Sequence, residues 1–418
     1  MLVFKFGGAS VKDANGIINL GSVVKKFEAE QLLIVVSAMG KTTNTLERLT
    51  KAYINGDEGL QNIFDEIKTF HYSIIEQLFE PNHPVFNEVA NTFVEIDWVI
   101  EDEPHEDHDF IYDQIVSIGE MVSTRIVSAY LNQAGIKNQW LDVRGYVLTD
   151  NTYREGVVQW DKTCAAINKD IPQLLTKGAV VTQGFLGGTS ENFTTTLGRE
   201  GSDYTASIFA SCLGAETVTT WKDVPGILNA DPKLFEETVK FDELSYTEAI
   251  EMTYYGASVI HPKTIKPLQN AKIPLLVKSF THPDEPGTII HQSSENKFVK
   301  PVIIIKPNQV LLSISARDYS FISEQQLSVI FKMFSQCQVK VNLMQTSALS
   351  FTVCFDLREE KFKKLLQYLT EGFKVKYNDN LTLITIRHYS PASLKALTDG
   401  KTILMEQLSR NTIQLVVK

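Results

Sequence analysis

Positive charge is in short supply in this 418-residue chain: Lys and Arg number 40 against 50 Asp and Glu, a formal net charge of −10. A polyanion-binding protein carries the opposite balance, so nucleic acid is a poor fit as main partner, while a local cationic cluster for a small anion is not excluded. Cysteine is scarce too. Cys164, Cys212, Cys337 and Cys354 form no CxxC pair, and a zinc site needs ligands at short spacing, so no residue is assigned to a metal. Each cysteine lies among apolar neighbours and is expected as a buried thiol in a reducing, cytoplasmic setting. No apolar run approaches the roughly 18 residues of a membrane-spanning helix. The N-terminal MLVFKFGG is interrupted by Lys5 and two glycines and does not read as a signal peptide. Neither a GxGxxG fingerprint nor an HExxH helix occurs.

What remains is ordinary globular composition, 43% hydrophobic and 22% charged, in a chain long enough for roughly two to three domains at about 150 residues each. Residues 2–6 read as a strand. Ile17, Leu20, Val23, Val24 and Phe27 recur at helical spacing, and residues 32–36 (LLIVV) form the continuous apolar run of a strand buried on both faces. Strand and helix patterns alternate in this way through the first two-thirds, which predicts an α/β domain with a mostly parallel sheet. The stretch 46–131 is mainly helical and reads as an insertion or cap. Residues 101–109 hold six acidic side chains with His105 and His108 and read as a solvated loop. Ser245 to Glu248 fits a capping box, with the helix stopping at Gly256. The sequence turns polar at 292–300, so a catalytic domain is placed at 1–295 and a second region at 301–418. Residues 310–378 there run βαββαβ, a ferredoxin-like unit. A shortened second unit is expected over 381–418, with 302–306 as the candidate for its missing strand.

Three glycine-bearing segments could approach phosphate. Lys5-Phe6-Gly7-Gly8 follows the first strand, so that backbone N–H groups and an ammonium meet where open α/β sheets bind ligands. Gly40-Lys41-Thr42 resembles half of a P-loop, but Val35 stands where the complete motif needs a glycine; Ser37 and Thr43 remain polar contacts at a strand end. Gly198-Arg199-Glu200-Gly201-Ser202-Asp203 opens a helix. There Arg199 suits a carboxylate, Ser202 and the helix N-terminus suit anions, and Asp203 suits an ammonium or a metal. Together they read as a site for a nucleotide plus an amino acid.

The segments KFGGAS (5–10), VVSAMGKTTN (35–44), SIGEMVSTR (117–125), GREGSDYTAS (198–207), TWKDVPGILNADPK (220–233) and YGASVIHPKTI (255–265) jointly resemble the aspartokinases, within the amino-acid-kinase fold. The C-terminal βαββαβ region is similar to that family's ACT domains. The resemblance implies a three-layer α/β catalytic domain and phosphoryl transfer from ATP to the β-carboxylate of L-aspartate, with Mg²⁺ carried largely on the nucleotide. It implies the first step towards lysine, threonine and methionine. By carry-over, Lys5 neutralises the moving phosphoryl group beside the amides of Gly7 and Gly8, and Ser37 lies by the phosphates. Thr43 lies near the aspartate, Arg199 clamps its α-carboxylate, and Glu120 and Asp203 hold its ammonium or orient Lys5. Ser202 caps the helix at the phosphates. Lys222, Asp223, Leu228, Lys233 and Ser258 correspond to the nucleotide pocket.

Some positions depart from the family pattern. Ser258 stands where many relatives have lysine, with Lys263 the nearest basic substitute. Asn342, Ser347-Ala348 and Ser320 replace Asp, Ser-Glu and Gly of lysine-sensitive relatives. The expectation is a monofunctional aspartate kinase that forms a homodimer through residues 301–418 and responds weakly or not at all to lysine among possible amino-acid effectors. The strands at 381–386 and 413–417 are expected as the sheet edges covered by the partner. Two other readings stay in play: a catalytically silent amino-acid sensor using the ACT region, and a same-fold kinase for another acid such as glutamate.

Overall fold

The computed structural model describes residues 1–257, 260–292, 300–318 and 320–418; Ser258 lies outside the described residues. Two compact units emerge. The first comprises Met1–Ile227, Lys240–Ile250 and Val259–Asn296, the second Leu228–Val239, Glu251–Ser258 and Lys297–Lys418.

In chain order the catalytic portion runs β1 (Leu2–Phe6), α1 (Ala14–Lys25), β2 (Leu32–Val36) and then five helices. These are α2 (Thr42–Asn55), α3 (Leu60–Leu78), α4 (Val85–Ile100), α5 (His108–Val116) and α6 (Ile118–Gln133), the helical insertion the sequence predicts. The chain continues with β3 (Asn138–Leu141), α7 (Trp160–Leu175), β4 (Ala179–Gln183), β5 (Leu186–Gly188), β6 (Thr194–Thr196), α8 (Gly201–Leu213) and β7 (Thr217–Lys222). It closes with β8 (Glu243–Ser245), α9 (Tyr246–Tyr255), α10 (Pro262–Ala271), β9 (Leu275–Ser279) and β10 (Thr288–His291). Eight of these strands form one sheet in the order β3-β4-β2-β1-β7-β9-β10-β8. From β3 to β9 every neighbour is parallel; β10 runs antiparallel to β9. All five residues of β2 are buried, as expected of a strand covered on both faces.

Strand alternation decides which side chains reach the site. Phe4 and Phe6 point to one face of β1, and Phe6 stacks on Trp221 of the neighbouring β7 at 6.1 Å between ring centroids. Lys5 points to the other face, in register with Thr220, and by the period of two Lys222 shares that face. The aromatic layer anchors the strand ends; the opposite layer carries charge. Ser245 Oγ accepts from Glu248 N at 3.1 Å, and α9 stops where Gly256 turns to φ +116°.

The second unit contains β11 (Val302–Ser315), α11 (Glu324–Gln336), β12 (Val341–Thr346), β13 (Phe351–Asp356), α12 (Glu359–Gly372), β14 (Lys374–Arg387), α13 (Pro391–Thr398), β15 (Ile403–Leu408) and β16 (Thr412–Val417). Its sheet order, β12-β13-β11-β14-β16-β15, contains the ferredoxin-like arrangement. Three expectations change here. The first strand of the βαββαβ unit and the segment 302–306 are one 14-residue strand, and the unit's last strand joins 381–386 in another. The ladder between them shifts register at Lys306/Gln309 and Gln309/Leu311, and Asn308 and Asn380 adopt left-handed φ of +56° and +54°, so the polar breaks kink the strands instead of ending them. The stretch before β15 also holds α13, capped by Ser390. Finally, 381–386 and 413–417 are interior, because β16 lies between β14 and β15; the edges are β12 and β15.

The cysteines divide. Cys337 and Cys354 are buried thiols. Cys164 and Cys212 are instead joined in a disulfide, which corrects the expectation of four free thiols. The residues lie 48 apart in sequence and meet only because α7 packs beside α8, a proximity that composition does not reveal.

Candidate active site

The C-terminal ends of β1, β2, β4 and β7 face the N-terminus of α8, and the residue types at those ends make a compact charged centre. Lys5 Nζ lies 3.0 Å from Asp203 Oδ1, with side chains 10% and 5% exposed. Burial pushes the Asp203 carboxyl up, but the ammonium groups of Lys5 and Lys222 and hydrogen bonds from Lys5 and Thr220 outweigh it and hold the group below the usual carboxylate range. Asp203 is thus an ionised partner that fixes Lys5.

Gly7 sits under the same ammonium: a methyl there would stand 3.5 Å from Lys5 Nζ. At Gly8 a methyl would meet the carbonyl oxygens of Ala38 and Gly40 at 2.7 and 2.9 Å, so only glycine lets the β1 and β2 turns close on each other. Gly40 N donates to Gly8 O at 3.0 Å, and Ser37 N donates to Phe6 O at 3.1 Å. Ser37 is half-buried and its carbonyl accepts from Ser123 Oγ at 2.7 Å. The next helix, α2, begins here. Thr43 is half-buried in its first turn, while Thr42 Oγ1 turns inward to Met39 O at 2.7 Å, next to His71, whose burial lowers its pKa to about 4 and keeps the ring neutral.

Glu120, in the first turn of α6, is 3% exposed. Burial raises its pKa to about 8, against the N–H of Ala38 and the charge of Lys5, which pull it down. Its Oε2 is buried without a hydrogen-bond partner among the described residues. A polar atom so placed is costly to leave unpaired.

At α8 the backbone is tightly specified. Glu200 precedes the helix in the left-handed conformation, φ +56°, and Ser202 and Asp203 are buried in the first turn. Arg199 is exposed on the turn ahead of them. Lys222 ends β7 and Asp223 is exposed just beyond it. Leu228 and Lys233 belong to the second unit; Lys233 is exposed, and its N–H donates to Asp231 Oδ1 at 2.9 Å. The structure therefore brings Lys5, Gly7, Gly8, Ser37, Glu120, Ser202, Asp203 and Lys222 to one edge of the sheet. Thr220 and Ser123 also belong there; both lie inside the segments 220–233 and 117–125 that carry the resemblance, but neither stands out in them, since small hydroxyls in a strand and a helix are common everywhere.

The amino acid kinase family model matches residues 1–279. Lysine-sensitive aspartokinase 3 of Escherichia coli (strain K12) is 30% identical over 393 residues, covering 92% of this chain and 86% of its own. This chain belongs to the aspartokinase family. Aspartokinase 2 of Arabidopsis thaliana chloroplasts is also 30% identical, over 88% of this chain and 69% of its own. The crystal structure of E. coli aspartokinase III with aspartate and ADP, in the R-state, is 27% identical. It superposes with a TM-score of 0.83, over 100% of this chain and 96% of that one. The aspartokinase fold and the charged centre thus coincide in the same segments that carry the sequence motifs.

Proposed function

We propose that this chain is an aspartate kinase that moves the ATP γ-phosphoryl group to the β-carboxylate of L-aspartate, giving 4-phospho-L-aspartate. The observation that carries the reading is the buried Lys5–Asp203 pair at the mouth of a glycine-lined strand end. A carboxylate acceptor has a reference pKa near about 4 and is already ionised at neutral pH. It needs no general base; the barrier lies in bringing one anion to another, which positioning and neutralisation lower.

In this reading Lys5 places its ammonium on the transferring group, oriented by Asp203, while the Gly7 and Gly8 amides and the α8 N-terminus with Ser202 face phosphate oxygens. Ser37 lies along the phosphates, Lys222 and Asp223 serve the nucleotide, and Thr43 borders the aspartate. Arg199 takes the α-carboxylate, and Glu120 offers its unpaired Oε2 to the ammonium. Among the described residues no group of three or more His, Cys, Asp and Glu could hold a metal ion. Mg²⁺ in this reading is carried on the nucleotide, where it would supply charge neutralisation. The test is a hydroxylamine trap with Mg-ATP. Aspartyl hydroxamate should form and glutamyl hydroxamate should not. Product from glutamate alone would make this a kinase for another acid, and no product from either would make it a silent sensor. Arg199→Ala should raise the aspartate KM by about tenfold or more, the worth of a lost charged contact.

Glu120 sets a pH dependence. With a pKa of about 8, its ionised fraction rises almost tenfold per pH unit from pH 6 to 7 and levels off beyond 8. Since only the ionised form attracts an ammonium, the aspartate KM should fall by roughly tenfold between pH 6 and 7. Glu120→Gln should flatten that slope. An aspartate KM that is pH-independent in the parent chain would remove Glu120 from the ammonium site.

We further infer that residues 301–418 pair with a second copy, because the edge strands β12 and β15 expose Met344 and Leu408 to 52% and 60%, a liability that pairing removes. Lysine should inhibit weakly or not at all. Asn342 offers an amide where a carboxylate would attract lysine. That amide is already used: Oδ1 accepts from Lys306 Nζ at 3.0 Å, and Nδ2 donates to Gln309 and Asp356 at 2.8 and 3.1 Å. Half-inhibition by micromolar lysine would overturn this, as would a monomer by light scattering for the pairing.

A further inference from the structure

Asp113 lies on α5, outside every motif that marks the site, and is completely buried. Each of its oxygens is occupied. Oδ1 accepts from Thr196 Oγ1 at 2.7 Å, and Oδ2 accepts from the backbone N–H of Thr196 and of Arg154, both at 2.8 Å. Thr196 is the last residue of β6, three before Arg199. Its carbonyl in turn accepts from Gly156 N at 2.8 Å. Arg154 holds a left-handed φ of +66°, and Gly198 packs so closely on this loop that a methyl would meet Arg154 O and Glu155 Cγ at 3.3 Å.

The same helix secures the loop from outside. Arg154 lies over the Tyr112 ring at 4.0 Å and pairs with Asp109 at 3.1 Å. Tyr112 Oη donates to Glu47 on α2 at 2.7 Å. One carboxylate therefore ties two backbone segments together beneath the turn of residues 198–200, on the side opposite the bonds that join the turn to α8, Gly201 N to Gly198 O at 3.0 Å and Asp203 N to Glu200 O at 3.1 Å.

We propose that Asp113 is a positioning residue for substrate: by bracketing Thr196 and Arg154 it fixes the turn that aims Arg199, and so sets the affinity for the amino-acid carboxylate. This rests on the assignment of Arg199 to that carboxylate. The bracket works by acceptor geometry, not by charge. An asparagine at this position keeps an amide oxygen for the two N–H donors and turns its NH₂ to Thr196 Oγ1, whereas alanine leaves buried donors unmet.

Asp113→Ala should raise the aspartate KM about tenfold, with kcat and the ATP KM changed by less than about threefold, the pattern of lost ground-state positioning. Asp113→Asn should restore the aspartate KM to within about threefold of the parent. In an Arg199→Ala background, Asp113→Ala should add little, because the group it aims is gone. Additive effects in the double variant, an asparagine variant as poor as alanine, or a loss confined to kcat or ATP would overturn the proposal. If Asp113→Ala does not fold, Thr196→Val removes one bond only; a roughly threefold rise in aspartate KM supports the bracket and no change refutes it. If Arg199→Ala itself leaves the aspartate KM untouched, the clamp assignment fails, which is separable from failure of the bracket beneath a working clamp.

Discussion

Lys5→Met should lower kcat on the order of 10²–10³-fold at saturating Mg-ATP and aspartate, with the aspartate KM moving only a few-fold, because a preorganised charge acts on the charge that migrates during transfer. The same change should also destabilise the fold. Asp203 is buried with Lys5 as its direct partner, and removing one member of a buried pair typically costs about 3–5 kcal/mol through the charge left behind. The remaining attraction from Lys222 softens that cost. The two effects separate in the double variant Lys5→Met/Asp203→Asn. Its buried carboxylate is gone, so thermal stability should return towards the parent value while kcat stays low. Steady-state kinetics and melting curves on the same preparations decide the matter. A single variant with parental kcat would sink the catalytic role, and activity that recovers together with stability would make Lys5 a structural group only.

The parts of this molecule that were legible in the sequence are those governed by local periodicity and by glycine. LLIVV at 32–36 announces a doubly buried strand, the α2–α6 insertion announces itself by helical spacing, and KFGG announces a backbone that must approach something closely. Other parts depend on what meets in three dimensions. The segment 302–306 and the unit starting at 310 read as separate, with Pro307 and Asn308 between them, yet the ladder to β14 resumes on both sides and the break becomes a bend. Cys164 and Cys212 carry no pairing signal until α7 lies on α8. Asp113 looks like any helix carboxylate, and only its burial under three donors distinguishes it. Glu120 entered the sequence reading through the resemblance, while its raised pKa comes from tertiary burial. The nucleotide contact expected at position 258 lies outside the described residues.

A second large effect is expected at Gly184, where a single methyl should disable the site without touching a charged group. Gly184 ends the β4 turn, and its N–H donates to Val36 O at 2.9 Å, which ties it to the strand leading to Ser37. A Cβ at this position would stand 2.5 Å from Ser202 Cβ and 2.7 Å from Ser202 Cα. Ser202 Cα belongs to the backbone of α8 and Ser202 Cβ is bonded directly to it, so neither can swing aside as the tip of a long side chain could. The adjacent residue is equally committed: Phe185 N donates to Thr205 Oγ1 at 3.0 Å and Phe185 O accepts from Leu197 N at 2.8 Å, so the turn is stitched to both ends of the segment bearing Arg199. Relief therefore requires the first turn of α8 to move, and with it Asp203 and the orientation of Lys5. A displacement near 1 Å at a positioning group costs about 10²-fold in rate, and overpacking of this kind costs roughly 1–3 kcal/mol or more of stability. Gly184→Ala should show both losses. Gly372→Ala, where a methyl meets nothing within 4 Å, should show neither and serves as the control. A Gly184→Ala protein with kcat/KM within threefold of the parent and an unchanged Tm would mean that the β4 turn yields freely, and the tight coupling of sheet edge to α8 would have to be abandoned.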